Sequence, residues 1–541
     1  MVSRRRALTM THAGSVHGVR RIALIASTLC GVLLVVPLAA LILLGAAAPK
    51  VSVPIASASA FATFNSFSLA LAVALMGCGL GLVFALSAVR LPATWRKMAL
   101  IVLGIPILLP SYLLAIAWAP ILSPTGMVIA PLGVVPTFNV AAFSACTWIQ
   151  SCAYYPIAML IFYVTLVRWN SSFDEVARSA ALAPITRLAI KLRWLVRPGV
   201  AAFLLIALLS LGDFAVPDFF GIRTAGSEIF SIAASYLDAR AALYASLPLI
   251  LGTMLLLLFL AHNSRRTWRA LALAEAGRAR QDYRDGGRGA KYLAVFLIAS
   301  AIGILGVPIV AVLTTLANGS TPWMTVLGQA IASVDRDIID SVRLASLVAT
   351  IAAIPSLLGA YASSRAENKL DHLGRGVAVL ALVTPIGLWA LGASVLTANL
   401  PFSVAGSVGV ALAIGVGLRT LTPSMEAFAG VFRGVPVSHE EAGRAAGLSN
   451  GTIWARVLAP QLVEPMFIAF FVAWVWVLND VTATVLLAPP GFSTLMLRIF
   501  QSVHYGPPEY LAALVLIHVA MILTALAVTL AGSRLLQRVW R

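Results

Sequence analysis

The sequence predicts an all-α polytopic membrane protein with about twelve transmembrane helices in two parallel six-helix repeats. Only 11% of its 541 residues are charged, whereas soluble domains average about 25%. Apolar runs of roughly 20 residues, the length that crosses a bilayer as a helix, recur along the chain. A polar segment that returns in both halves of the chain predicts the repeat.

The apolar runs fall into two sets of six, which a polar, arginine-rich segment separates. The first run is too long for the apolar core of a signal peptide, so we interpret it as a span. The runs lie at roughly 22–46, 68–89, 99–121, 141–167, 199–220, 241–262, 292–316, 341–361, 374–397, 404–422, 465–488 and 510–532. The predicted organisation is a cytoplasmic tail at 1–21, a first repeat at 22–262, a cytoplasmic linker at 263–291 and a second repeat at 292–541.

The net charge of +18 could indicate binding to nucleic acid, but its distribution argues against that partner. Arg and Lys occupy short loops between apolar runs and form no basic aromatic face. About 31 of the 38 fall on one side of the predicted topology, the bias that marks cytoplasmic loops. We therefore expect a multi-pass protein in contact with lipid, with both termini in the cytoplasm.

The polar segment occurs as "DEVARSAALAPITRLAIKLRW" at 174–194 and as "HEEAGRAAGLSNGTIWARVLAP" at 439–460. Each copy precedes the fifth run of its half and lies on the predicted cytoplasmic side. In the second copy Gly447 interrupts a helix-compatible stretch, and a second short helix is predicted to end near Pro460. Such a pair of helices could dock on a soluble partner. The alternative is two solvated amphipathic loops, and their matching positions favour docking.

The second copy resembles the coupling segment of binding-protein-dependent ABC importer permeases, with its pattern E-A-A, three residues, G, nine residues, I-x-L-P. The matching residues are Glu441, Ala442, Gly443, Gly447 and Pro460 in this copy, and Glu175, Val176, Ala177 and Ala181 in the first. The first copy departs from the pattern at Ala181, where Gly is expected, and at Trp194, where Pro is expected. The resemblance implies that each copy binds one subunit of an ABC ATPase, so two ATPase subunits are expected.

Three further stretches resemble the fused, twelve-span permeases of ferric iron importers. They are "LLPSYLLAIAW" at 108–118, "LGDFAVPDFFGIRTAGSEIF" at 211–230 and "NDVTATVLLAPPGFSTLMLRIF" at 479–500. The resemblance implies a bacterial inner-membrane permease that receives ferric iron from a periplasmic binding protein. Permeases for thiamine, polyamine or aminoethylphosphonate have similar sequences and stay as alternatives for the substrate.

An enzyme is not indicated. None of the five lysines follows a glycine, so the chain lacks the G-x-x-x-x-G-K-[ST] loop that binds ATP phosphates. The H-E-x-x-H pattern is absent, and the four cysteines lack metal-ligand spacing. We expect no catalytic residue, no resident metal and no cofactor.

An ion-coupled secondary transporter is the other alternative. It leaves both polar segments unexplained, and it needs titratable groups, of which the spans have few.

Acidic residues within spans are candidates for the pathway because they are costly in a membrane. Asp213 and Asp480 match at a spacing of 267 residues, each about 22 Å above the cytoplasmic side at 1.5 Å per helical residue. The alternative is that they pair with arginine or cap helices.

Charges in outer loops could contact the binding protein, although such charges are usually only solvated. They are Asp218, Arg223, Glu228, Arg336 and Arg498.

Overall fold

The structure is a computed structural model of the protein. It describes residues 56–122, 138–167, 179–232, 239–275, 289–365, 386–398 and 404–540, together with three single residues at 39, 43 and 176. Within these ranges the regular secondary structure is helical. The first ten helices are α1 Ala56–Ala88, α2 Ala93–Gly104, α3 Ser111–Leu122, α4 Phe138–Val167, α5 Pro184–Gly212, α6 Ala215–Phe219, α7 Ala225–Ser231, α8 Ala239–Glu275, α9 Ala290–Ala301 and α10 Val307–Ala317.

The remaining helices follow from residue 323 onward. They are α11 Trp323–Ser333, α12 Asp335–Arg365, α13 Ile386–Ala398, α14 Val404–Arg433, α15 Val437–Ala445, α16 Asn450–Ile453, α17 Ala459–Leu478, α18 Thr482–Leu487, α19 Leu495–Tyr505 and α20 Pro508–Trp540. A π-helical turn, Trp454–Leu458, joins α16 to α17, and a second, Ile302–Gly306, joins α9 to α10.

Eight continuous helices in the described ranges are long and apolar enough to cross a membrane, and α2 with α3, bent by 95°, gives up to nine. The prediction of an all-helical polytopic membrane protein is therefore confirmed. The predicted span 22–46 lies outside the described residues, and only α13 represents 374–397. The predicted span 404–422 lies within α14, which is not among the eight. The count of twelve stays a prediction.

The chain divides into two compact units. One is built mainly from Ser52–Ser235 and Tyr244–Trp323, and the other mainly from Met324–Arg541. Helix α8 continues through Glu275, into the predicted linker 263–291. The division into two repeats on either side of that linker stays a prediction.

In the first unit α4 packs against α1 and α5. The two helices α1 and α4 approach closely because Gly81 has no side chain: a Cβ there would lie 2.6 Å from the Cβ of Ala158. The phenol of Tyr155 is buried between the helices and donates a hydrogen bond to the carbonyl of Leu103 at 2.8 Å. Small residues at helix crossings are typical of membrane proteins, whose helices associate by close packing.

In the second unit α12, α14 and α17 pack together. Their buried cluster contains Trp389, Phe428, Phe432 and Leu462, and it extends to Ile453 of the polar segment. The polar segment is thus part of the same core as the membrane helices. This arrangement determines how its side chains divide between the interior and the surface.

Candidate functional site

Helix α15 ends in a left-handed turn at Gly447. The amide of Leu448 donates to the carbonyl of Gly443 at 3.1 Å, and the amide of Gly447 donates to the carbonyl of Arg444 at 3.0 Å. These two bonds form a Schellman motif, whose turn residue adopts a positive φ. Gly447 has φ +76°, which glycine adopts without the Cβ clash that other residues meet. The glycine that the sequence pattern requires therefore ends the first helix of the segment.

The chain re-enters a helix two residues later. Ser449 is the N-cap of α16, and its hydroxyl accepts the amide of Thr452 at 3.3 Å. Gly443 lets the two short helices touch, because a Cβ at this position would lie 2.9 Å from Cγ1 of Ile453. Both Gly443 and Ile453 are buried. The two helices therefore form one packed unit, which we call the α15–α16 knob (residues 437–453).

The prediction that the second short helix ends near Pro460 is wrong. Helix α16 passes through the π-helical turn directly into α17, and the continuous helix Asn450–Leu478 is one of the candidate spans. Pro460 occupies the first turn of α17, directly after the π-helical turn, so the continuous helix passes through a proline. The knob is therefore the cytoplasmic start of a membrane helix by the predicted topology.

The two adjacent glutamates of the knob have opposite environments. Glu440 is 2% exposed, whereas Glu441 lies at the surface. The exposed residues of the knob are mostly small or apolar: besides Glu441 they include Ala442, Ala445, Ala446, Gly447 and Leu448. A surface of small side chains with one carboxylate can enter a groove without steric obstruction. The sequence pattern indicated Glu441 but not Glu440, although the two glutamates are adjacent.

The first copy of the segment makes a similar turn with a residue that does not suit it. Ala181 has φ +50°, the one positive value among the non-glycine residues of the described ranges. The amide of Ala180 donates to the carbonyl of Val176 at 2.9 Å, as that of Ala446 does to Ala442 at 3.0 Å in the second copy. Val176 is exposed. Glu175 and Ala177 lie outside the described residues.

A one-residue difference between the two copies has a structural counterpart. The turn residues Ala181 and Gly447 differ by 266 positions, whereas Pro198 and Pro465 differ by 267. Helix α5 is α-helical throughout, whereas the corresponding helix contains the π-helical turn Trp454–Leu458 between Gly447 and Pro465. A π-helical turn accommodates one extra residue in a helix.

Asp213 and Asp480 both follow the end of a membrane helix, and each accepts an amide in the first turn of the short helix that comes next. Asp480 accepts the amide of Ala483 at 2.8 Å and is 4% exposed. Asp213 accepts the amide of Val216 at 3.4 Å and the phenol of Tyr154 at 2.9 Å. A carboxylate at a helix N-terminus satisfies an amide and favours the helix dipole. The cap role that sequence analysis gave as the alternative therefore has direct geometric support.

The five outer-loop charges have different environments. Arg498 donates through Nε to Oδ2 of Asp337 at 2.8 Å, and Asp337 is 5% exposed. Arg223 and Arg336 are exposed, whereas Asp218 and Glu228 are half-buried. Burial raises the pKa of Glu228, and the charge of Arg223 opposes that rise. The pairing partner Asp337 was missed because 161 residues separate it from Arg498.

Groups of three or more His, Cys, Asp or Glu that could hold a metal ion are not found in the described part of the chain. The α15–α16 knob is a surface element joined to a membrane helix.

Comparison with protein families finds a match over the region that contains this element. Residues 355–541 match the family model of the binding-protein-dependent transport system inner membrane component. This region is an ABC importer permease domain. It contains the α15–α16 knob and helices α14 to α20. The chain is a transport subunit of the inner membrane and not an enzyme, and permeases of this family work with an ATPase and a substrate-binding protein. No curated protein matches the chain significantly.

Proposed function

We propose that the chain is the membrane subunit of an ABC importer for ferric iron, which a periplasmic binding protein delivers and a separate ATPase drives. The observation that carries the coupling role is the geometry of the α15–α16 knob. Its exposed Glu441 and small side chains offer a surface for an ATPase cleft. The knob continues into the membrane helix Asn450–Leu478, so a movement of the knob reaches the membrane directly.

The proposal includes a second knob of the same type around Val176 and Ala181, bound by a second ATPase subunit. Its support is the positive φ at Ala181 and the helical bond from Ala180 to Val176, which match the turn at Gly447. The pairs of short helices after Asp213 and Asp480 support two fused repeats in the same orientation. With the charge bias of the loops, this arrangement supports a topology with both termini in the cytoplasm.

Asp213 and Asp480 belong to the proposal as residues that flank the pathway. Their support is their matching position at the outer ends of α5 and α17 and the preference of hard cations for carboxylate oxygen. Substitution by asparagine separates this role from capping, because the amide oxygen still accepts the backbone amide while the charge is lost. Asp213→Asn with Asp480→Asn should lower uptake and change its dependence on cations. Unchanged uptake by a stably folded double variant would leave only the capping role.

The five outer-loop charges, Asp218, Arg223, Glu228, Arg336 and Arg498, are proposed to contact the binding protein. The exposed Arg223 and Arg336 suit an acidic surface best, because the charge of Arg498 is already paired with Asp337. Arg223→Glu with Arg336→Glu should weaken the binding protein's stimulation of ATP hydrolysis. Stimulation equal to that of the unmodified protein would remove these two residues from the contact.

The substrate is tested by uptake of radiolabelled ferric iron in cells that lack the gene and in cells that have it restored. Unlabelled thiamine, putrescine and aminoethylphosphonate serve as competitors. Restored uptake that only ferric iron blocks is the expected result. No difference between the two cell lines would contradict the iron assignment, and the same cells would then be assayed with the three competitors as substrates. Uptake that depends on a proton or sodium gradient, and not on ATP, would favour the secondary transporter.

A further inference from the structure

A buried hydrogen-bonded joint connects the α15–α16 knob to α12. The phenol of Tyr361, near the end of α12, donates to Oε2 of Glu440 at 3.2 Å. Arg444, one turn after Glu440 on α15, donates through Nη2 to the same oxygen, also at 3.2 Å. Tyr361 is 7% exposed and Glu440 is 2% exposed. The carboxylate is thus shared between its own helix and a membrane helix 79 residues earlier.

Three aromatic rings surround this joint. The ring of Tyr361 lies 5.4 Å from that of Phe432 and 5.1 Å from that of Trp454, and the last two are 6.0 Å apart. They come from α12, α14 and the π-helical turn. Ile453 and Leu458 belong to the same buried cluster. Hydrogen bonds to a charged group are stronger in such surroundings, and an unmade bond to a buried carboxylate is costly.

The joint separates two roles within the glutamate pair. Glu441 is exposed at the surface, where its role is to contact a partner. Glu440 faces inward and contacts the end of α12 rather than the surface. Close packing of Gly443 on Ile453 keeps α15 in register with α16 while the joint holds it to α12. A displacement of the knob that left α12 behind would break the bond from Tyr361 to the buried carboxylate of Glu440.

We infer that Glu440 and Tyr361 are positioning residues that transmit movement of the α15–α16 knob to α12, so that α12 and α17 move together when the knob moves. This inference rests on the proposed coupling of the knob to an ATPase. Neither residue needs to touch the ATPase or the substrate. Their role is to prevent the knob from rotating independently of the membrane helices.

The test uses the full-length chain in complex with its ATPase, purified through a tag on this chain and placed in nanodiscs. Native cysteines are replaced by serine, and spin labels are attached at Leu358 of α12 and Ser438 of α15, which are both exposed. The distance between the labels is measured with and without a non-hydrolysable ATP analogue. Affinity for the ATPase is measured in parallel. Variants are Tyr361→Phe, which keeps the ring, and Glu440→Gln.

In the unsubstituted protein the nucleotide should leave the distance unchanged, because the two helices move as one body. Tyr361→Phe and Glu440→Gln should bind the ATPase within about twofold of normal, yet the nucleotide should shift or broaden their distances. Tyr292→Phe, which deletes an exposed hydroxyl on α9, is the matched control and should behave as the unsubstituted protein. The two substitutions combined should shift the distance no more than Tyr361→Phe alone, since Tyr361→Phe already removes the bond between α15 and α12.

Two results would overturn the inference while leaving the proposed function intact. One is a nucleotide-dependent distance change in the unsubstituted complex, which means that the knob moves independently of α12. The other is a Tyr361→Phe complex that responds like the unsubstituted one. Absence of any ATPase bound to the unsubstituted chain would instead contradict the proposed coupling itself. If Glu440→Gln does not fold, the milder Tyr361→Phe variant decides the question.

Discussion

The turn at Gly447 allows a quantitative test of the α15–α16 knob. A Cβ added at Gly447 would meet no atom within 4 Å, so Gly447→Ala carries no steric penalty from neighbours. Its cost is the left-handed conformation at φ +76°, which an L-residue adopts at about 1–2 kcal/mol. The Schellman bonds at the Gly447 and Leu448 amides should open more often by the corresponding factor, about 5- to 30-fold.

Amide hydrogen exchange in the peptide that contains Leu448 measures this opening directly. The matched control is Gly451→Ala, since Gly451 is also exposed and also has no atom within 4 Å of an added Cβ, but lies in a helix without a positive φ. Gly451→Ala should leave exchange unchanged or slower, because alanine favours the helix. The converse substitution is Ala181→Gly, which removes the strain at φ +50° and should slow exchange at Ala180 about two- to fivefold.

Equal exchange in Gly447→Ala and Gly451→Ala would refute the assignment of a left-handed turn at Gly447. Faster exchange in Ala181→Gly would refute the claim that the first copy makes the same turn under strain.

Three further substitutions follow from the same geometry. Glu441→Ala should reduce transport more than Glu175→Ala, because the second copy has the complete pattern. Both variants should keep normal thermal stability. If neither substitution changed uptake, the docking role would be contradicted. Arg498→Met leaves the carboxylate of Asp337 buried without its cation, so the free energy of unfolding should fall by about 1–2 kcal/mol. An unchanged denaturation midpoint would argue against that ion pair. Ser449→Ala removes the N-cap of α16 at about 1 kcal/mol, detectable as faster exchange at Thr452; unchanged exchange would show that the cap contributes nothing.

Much of the membrane architecture is predictable from sequence because the bilayer imposes simple rules on length and polarity. The run predicted at 141–167 and the helix Phe138–Val167 nearly coincide. The rules fail where polarity and length give weak signals. The predicted run 465–488 passes through Asp480, whereas the structure ends α17 at Leu478 and begins α18 at Thr482. Asp480 lies at this break, buried, and accepts the amide of Ala483 in the next helix, a contact that mean hydropathy does not reveal.

The candidate site was predictable as a position but not as a geometry. The glycine of the pattern indicated the turn at Gly447 because few other residues adopt a positive φ. The division between Glu440 and Glu441 could not be read from two adjacent identical residues, since it depends on the phenol of Tyr361 on a distant helix. The one-residue offset between Pro198 and Pro465 was visible in the sequence. The π-helical turn that accompanies it begins at Trp454, whose contacts with Tyr361 and Phe432 are tertiary and cannot be read from the local sequence.

Photo-cross-linking in living cells tests the central claim, which is that the exposed face of the α15–α16 knob lies in the cleft of an ABC ATPase. A photoreactive amino acid replaces Ala442 in one strain and the exposed Arg336 of the predicted outer side in another. We expect Ala442 to yield an adduct with a protein whose peptides include a G-x-x-x-x-G-K-[ST] loop, and Arg336 to yield no such adduct. An ATPase adduct at Arg336 would contradict this claim. The absence of an ATPase adduct at Ala442, in cells whose uptake depends on this chain, would contradict it as well.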